Sequence, residues 1–482
     1  LLLASAALGA CSSTPAPAAH DGGPDATANP SGDAGEAADA SDGGALDADD
    51  AVDAGTVTLA TDSGTPIPPF AFGHNYWDWV DYGGGTTGLA GTAPLVSALH
   101  LNVMRAGGDN NDSNSPELFD TSQIDSYVAY CRSVGAEPIL QVPLVANNID
   151  GGPATPDTAA AMVSYANVTM GYGIQYWEIG NEPDLYATQY DAGVPTTAAD
   201  YCSVFQTYAA AMKTANAAGP DGGVTIKLLG PELSSAYTPG NDWLTPFLDG
   251  CANDVDIVTV HRYPFSGTET TLVNALNDVL RFRQTVGLLQ GIVAGHARPG
   301  TPLAITETNI SYLYATSSYS GAGLVAAPGT FPAALWTADL RGAALEANLW
   351  TLAFFDLGEL PGPDDLLGFI AGGVPVPAYY AEQLISANFR GDLLSPLGVP
   401  TGYSVYAAHD PALASTAIAV INKTSTTGRL SFAVDAQPAQ AFDFPALSVS
   451  LVQLPDAPDA GAHLTQYTSA QADAGVGPVI VR

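Results

Sequence analysis

From about Thr56 the chain alternates between short, nearly unbroken apolar runs and longer stretches in which apolar residues return every three or four positions. The first pattern is that of a strand buried on both faces, and the second is that of an amphipathic helix. Eight runs read as strands: PFAFGHNYW (69–77), LNVMRAGG (101–108), EPILQVPL (137–144), IQYWEIGNEP (174–183), IKLLGPEL (226–233), DIVTVHRYP (256–264), PLAITETN (302–309) and NLWTLAFFDL (348–357). Helical stretches such as QIDSYVAYCRSVG (123–135) and ADYCSVFQTYAAAMKTANAAG (199–219) lie between them. This alternation predicts an α/β chain built on a parallel (β/α)8 TIM barrel, and about 320 residues is a suitable size for one. After PAYYAEQLISANF (377–389), which reads as the last barrel helix, the period changes to two in GYSVYAAHD, STAIAVINKT, GRLSFAVD and ALSVSLVQL. Those runs predict a smaller C-terminal antiparallel β-sandwich. The segment around TVTLAT (56–61) is a candidate to join it.

The first 55 residues follow neither pattern. The opening LLLASAALGAC reads as the apolar part of an export signal. A run of about ten apolar residues is too short to cross a hydrocarbon core, which takes about 20. LGAC (8–11) resembles the lipobox of bacterial lipoproteins, in which the cysteine, here Cys11, becomes the lipidated N-terminus. Residues 12–55 are mostly Ala, Asp, Gly, Pro and Ser, without one Phe, Tyr, Trp, Lys or Arg, so they cannot bury enough apolar surface to offset ordering entropy. The expected organisation is therefore a signal remnant with lipobox (1–11), an acidic linker (12–55), a catalytic barrel (56–390) and a sandwich with tail (391–482). Such a protein would sit in the bacterial cell envelope, at the outer membrane or cell surface, and touch the membrane only through its lipid anchor.

Charge narrows the ligand. The chain carries 49 acidic and 13 basic residues, a formal net charge of -36. That balance repels phosphate backbones and polyanions, so no nucleic-acid partner is expected and a neutral ligand fits better. There is no HExxH, no CxxC, no clustered His and no phosphate-binding glycine loop, so neither metal nor cofactor is expected. Apart from Cys11 the cysteines are Cys131, Cys202 and Cys251. Cys202 opens the helix after the fourth strand and Cys251 precedes the sixth, so the two can meet on the outer helical layer as a disulfide. The oligomeric state has no signal in the sequence.

Catalytic groups of such barrels collect at the C-terminal ends of the strands. In order, those ends present His74 and Asn75, Arg105, Gln141, Asn181 and Glu182, Glu232, His261 and Tyr263, Glu307, and Asp356. Paired carboxyls at such ends suit general-acid and nucleophilic chemistry, and the carboxyls here are Glu182 and Glu307, with Glu178 and Glu232 as competing acids.

The motifs GNEPD (180–184) and ITETN (305–309) resemble those of clan A glycoside hydrolases, whose barrels carry an acid/base Glu in an Asn-Glu motif after strand four and a nucleophilic Glu after strand seven. The resemblance covers roughly residues 65–390. It implies that Glu182 is the acid/base, Glu307 the nucleophile and Asn181 a ligand of the sugar 2-hydroxyl. It implicates His261 and Tyr263, in VTVHRYP, in sugar binding and in orienting the nucleophile, and Arg105, in VMRAGG, in keeping Glu307 ionised. Trp77 and Trp350, with Tyr76, Trp79, Tyr312 and Tyr314, are candidates to stack on sugar rings. Barrel plus sandwich is similar to families 39, 44, 51 and 79 of the clan. The resemblance implies a retaining hydrolase acting on a neutral β-linked polysaccharide or oligosaccharide; the other reading is a catalytically inactive, carbohydrate-binding surface lipoprotein.

Overall fold

The eight apolar runs each contain a strand, and the strands pair in sequence order until the eighth closes on the first. They are Phe72–Asn75, Val103–Ala106, Glu137–Val142, Tyr176–Ile179, Lys227–Leu233, Ile257–Arg262, Leu303–Thr308 and Leu352–Phe354. Apart from Glu137 and Lys227 at their strand starts, every residue in them is buried, which is why they read as unbroken runs rather than alternating ones. The computed structural model describes residues 52–76, 89–113, 121–146, 153–190, 193–235, 242–265, 270–312, 329–359, 367–457 and 460–482. Cys11, Trp77, Trp79 and Tyr314, and the linker up to residue 51, lie outside the described residues.

A helix follows each strand: Leu89–Leu99, Thr121–Val134, Pro156–Val163, Ala198–Ala217, Leu244–Cys251, Leu272–His296, Phe331–Glu346 and Pro377–Ser386. Thr155, Thr197 and Thr271 cap three of them through side-chain oxygens that accept the N–H three residues on. Cys202 and Cys251 form a disulfide, linking the fourth and fifth helices as their positions suggested, while Cys131 is a buried thiol. No helix among the described residues is long and apolar enough to cross a membrane.

The sandwich is larger than the C-terminal runs alone. Val52–Leu59 pairs in parallel with Gly428–Val434, which in turn pairs with Gln440–Phe444. Thr65–Pro66 adds to the edge of a seven-stranded sheet through Asp392–Leu394. TVTLAT thus belongs to the sandwich, and the barrel begins after Pro66 rather than at residue 56. The last residues assigned to the linker, Val52 to Gly55, are already strand. Val57, Leu59, Ile418, Phe432, Phe444 and Val452 fill the space between the two sheets.

Phe331–Glu346 shows how sandwich and barrel join. It is buried on every face up to Leu345, because one side meets the barrel and the other meets the large sheet. Asp339, wholly buried in that helix, accepts from Tyr406 Oη at 2.6 Å and from Lys423 Nζ at 2.7 Å, both on or beside the sheet. A helix surrounded in this way needs partners for its charges, and these two satisfy it.

Candidate active site

Inside the barrel the lower layer is apolar, formed by Val103, Ile139, Tyr176, Leu229, Ile257 and Ala304. One pleat higher the same strands turn polar. Arg105 sits two residues beyond Val103 and Glu178 two beyond Tyr176, so the period of two places both side chains on the barrel axis. Arg105 has no exposure to solvent. Its Nε donates to Glu178 Oε2 at 2.6 Å, its Nη1 to Asn75 Oδ1 at 2.9 Å and Glu307 Oε1 at 2.5 Å, and its Nη2 to Asn181 Oδ1 at 2.9 Å. Strands one, four and seven are thereby drawn to a guanidinium carried by strand two.

Two irregularities aim the remaining groups. Between strands five and six the register skips Glu232, and between strands six and seven it skips Thr306. Each is the extra residue of a β-bulge, which re-aims the side chains that follow it. The second bulge brings Glu307 opposite His261. Glu182 lies just past the fourth strand with φ of 47°, after Gly180 at φ of 76°. A Cβ on Gly180 would meet Leu144 Cδ1 at 2.5 Å and the Tyr186 hydroxyl at 2.7 Å, so this exit requires glycine.

Glu182 and Glu307 come together. His261 Nδ1 lies 2.8 Å from Glu182 Oε1 and 3.6 Å from Glu307 Oε2, and carboxylate oxygens of the two Glu lie within 4.8 Å of each other. Tyr263 Oη donates to Glu307 Oε2 at 2.8 Å. Both carboxyls open onto a cleft of about 700 Å³, also lined by Asp109, Asn181, Tyr263 and Tyr312, with Leu185, Phe355 and Leu367 as apolar wall. Asp184, the second carboxylate of GNEPD, turns away and accepts from Ser234 N at 2.9 Å and Ser234 Oγ at 2.7 Å. It ties the fourth strand exit to the fifth.

The buried charges differ sharply. Burial pushes Glu182 up to about 7, against the pull of His261. Burial likewise lifts Glu178 to about 8 despite Arg105. Glu232 is held below the usual carboxylate range: burial opposes this, but hydrogen bonding to His261 and the Arg105 charge outweigh it. For His261 burial also opposes the charged form, yet Glu307, Glu182 and Glu232 raise it to about 10. Two cations, Arg105 and His261, thus face the carboxyls of this cluster, and among those carboxyls Glu178 and Glu182 are the two whose hold on a proton burial strengthens most.

Not every expected site residue belongs here. Trp350 precedes the eighth strand and lies at the opposite, N-terminal end of the barrel, stacked on Phe70 at 5.1 Å and on Tyr176 at 5.0 Å. It cannot reach the cleft. Tyr76 is buried against Tyr127 and Tyr130. Arg105 and His261 lie wholly below the cleft floor, so they hold the carboxyls in place rather than touch a ligand. Asn181 and Tyr263 line the cleft. Tyr312, half exposed, stacks edge-on to Tyr263 with centroids 6.2 Å apart.

Two residues were missed. Asp112 accepts from Asn181 N at 2.7 Å, Gln141 Nε2 at 3.0 Å, Leu144 N at 3.0 Å and the Tyr186 hydroxyl, and so fixes the backbone that carries Glu182. Asp109 accepts from Asn181 Nδ2 at 2.9 Å and faces the cleft. Both lie in GGDNNDSNS (107–115), which has no periodicity to single them out.

Glu182, His261 and Glu307 are spaced closely enough to bind a metal ion. Their hydrogen bonds fit proton transfer better. A divalent cation would sit against the Arg105 guanidinium and would have to displace the proton that His261 retains up to about pH 10.

These shifts predict how stability depends on pH. Glu178 (4.5 to about 8), Glu182 (4.5 to about 7), Asp112 (3.8 to about 7) and His261 (6.5 to about 10) all bind protons more tightly folded than free. Their contribution is complete below the unfolded values and is lost as pH rises through the folded ones. Urea unfolding should give a free energy that declines from about pH 5 to about pH 9, and Glu178→Gln should flatten that slope. A slope unchanged by the substitution would show that Glu178 does not hold the extra proton.

No protein-family model and no curated protein matches the sequence. Among solved structures, the chain is similar to a bifunctional glucanase-xylanase from a metagenome library, with TM-score 0.62, 17% identity, and coverage of 83% of this chain and 99% of that one. It is similar to an α-L-arabinofuranosidase from Thermotoga maritima, with TM-score 0.63, 14% identity, and coverage of 86% and 97%. It is also similar to a family 44 xyloglucanase from Paenibacillus polymyxa, with TM-score 0.61, 13% identity, and coverage of 83% and 99%. At these identities the likeness is one of fold, and it extends over nearly the full length of each of these glycoside hydrolases.

Proposed function

We propose that the chain is a retaining glycoside hydrolase that cleaves a neutral β-linked oligosaccharide or polysaccharide by double displacement. The observation that carries this reading is the pair of cleft carboxyls, one oxygen of each within 4.8 Å of the other, which accords with the close pairing that retaining enzymes use. The two differ in role. Glu307 accepts from Arg105 and Tyr263 and is the nucleophile: it attacks the anomeric carbon as the bond to the leaving oxygen breaks. Glu182, lifted by burial to about 7, gives its proton to that oxygen, then takes one from the water that releases the sugar.

Cleft chemistry favours a neutral sugar. Asp109, Glu182 and Glu307 line it, and the one cation that does so among the described residues, Arg262, is engaged by both oxygens of Asp278 at 2.9 and 2.7 Å. A uronate would meet carboxylates without a spare partner. Nothing in the site favours an inactive sugar-binding protein, since both carboxyls are present and aimed.

The proposal includes export and anchoring through Cys11, for which the apolar run, LGAC and the linker are the support. The Cys202 to Cys251 bridge accords with an oxidising compartment. Mass spectrometry of the membrane fraction should find a diacylglyceryl group on an N-terminal Cys11; an unmodified Cys11 or cleavage elsewhere would reject the anchor.

The roles are separable by leaving group. Glu307→Ala should lower turnover of every substrate by about 10⁴-fold or more, whereas Glu182→Ala should still form the glycosyl-enzyme from a dinitrophenyl glycoside, stall there, and recover with azide. The azide product should keep the substrate's anomeric configuration. Wild-type kcat/KM should fall above about pH 7 as Glu182 loses its proton, and Glu182→Ala should lack that limb. Equal losses that azide does not rescue would reject the assignment.

A further inference from the structure

We propose that Glu232, which touches neither cleft nor substrate, is the positioning residue that holds His261 as an imidazolium aimed between the two catalytic carboxyls. The inference rests on the glycosidase reading for its consequence and on geometry for its substance. Glu232 is the extra residue of the bulge on strand five, wholly buried, with φ of 56°. Such backbone is strained for a residue with a side chain and persists only where surroundings impose it. Here they do. Its N–H donates to Thr259 Oγ1 at 3.2 Å, and its carbonyl accepts the Glu182 N–H at 2.9 Å.

Its carboxylate then reaches beneath strand six. Oε2 accepts from Thr306 Oγ1 at 2.5 Å and pairs with His261 Nε2 at 3.1 Å, with Arg105 Nη2 3.7 Å away. Thr306 is the extra residue of the other bulge, so the two irregularities on strands five and seven meet under the strand that carries His261. A regular strand in either place would lack the residue that makes the contact. With Nε2–H committed to Glu232, only Nδ1 is left for the catalytic side, where it lies 2.8 Å from Glu182 and 3.6 Å from Glu307.

The groups facing His261 are Glu178 and Glu182 from strand four, Glu232 from strand five, Glu307 from strand seven and Asp109 beyond strand two, with Arg105 in the same cluster. Of the carboxylates, Glu232 is the one that pairs with His261 without serving in the cleft. It is also held below the usual carboxylate range while His261 is raised, as a paired carboxylate and imidazolium require. The imidazolium gives the Glu182 carboxylate a donor at the moment its proton leaves, so Glu232 acts on catalysis through His261.

The test uses the full chain with ¹⁵N-labelled histidine, following the His261 ring nitrogens by two-bond ¹H–¹⁵N correlation from pH 5 to 9, in the wild type, Glu232→Gln and Glu232→Asp. Wild-type His261 should stay doubly protonated through pH 8. Glu232→Gln keeps shape and loses charge, so His261 should lose its proton with a midpoint at roughly pH 7 to 8. In aryl-glycoside assays kcat/KM should fall about tenfold or more in Glu232→Gln, mainly through kcat, with partial recovery in Glu232→Asp. A merely structural role predicts the opposite order, the isosteric Gln being better tolerated than the shorter Asp. A neutral wild-type His261 at pH 7, or a His261 titration that Glu232→Gln leaves unmoved, would overturn the proposal. A neutral wild-type His261 would overturn the proposal even if the variants fail to fold. Because the spectra need no substrate, absence of activity in all forms would count against the glycosidase reading and leave this test standing.

Discussion

A guanidinium with no access to water must satisfy its N–H groups from inside the barrel, and Arg105 does so by binding Asn75, Glu178, Asn181 and Glu307 at once. Much of the site depends on that requirement. Breaking a buried ion pair costs about 3–5 kcal/mol, a penalty that holds Glu307 to Arg105, while Asn75, Glu178 and Asn181 accept its other N–H groups. The clamp turns four separate chain segments into one rigid floor beneath the cleft. Lysine could not replace it, because a point charge lacks the planar fork that fits several acceptors in fixed directions.

The floor alone does not separate an acid from a nucleophile. Environment does. Glu182 stands at the cleft edge of the cluster, where burial keeps its proton, while Glu307 is held by Arg105 and Tyr263. The division of labour proposed for these two identical side chains rests on their neighbours, and those neighbours are set by two bulges, a glycine at φ of 76° and the hydrogen bonds of Asp112. Local departures from regular structure are concentrated where the chemistry is, and the regular barrel around them supplies the support.

Most of the barrel was legible because strands buried on both faces leave nearly unbroken apolar runs. Glu182 and Glu307 were legible because they end such runs in dense polar motifs. Trp350 misled because it neighbours an apolar strand, yet it lies before that strand and therefore at the other end of the barrel. The boundary at residue 56 misled because Val52–Leu59 emerges directly from an Ala and Asp tract, with its pairing partner more than 370 positions away. Bulges leave no trace in period-two patterning, since one extra residue looks like ordinary sequence, so the place of Glu232 and Thr306 had to come from the register. Asp109 and Asp112 act through the fold of an aperiodic segment, and only the structure brings them to Asn181.

The central claim is that Glu307 attacks and Glu182 does not. It is tested most directly by trapping the intermediate. A panel of activated 2-deoxy-2-fluoro glycosides, spanning the hexoses and pentoses of plant polysaccharides, should yield with at least one member a stable adduct of one sugar per chain. Peptide mapping should place that adduct on Glu307. A sugar found on Glu182 or any other residue would contradict the account, as would steady hydrolysis of a parent glycoside to a product of inverted anomeric configuration.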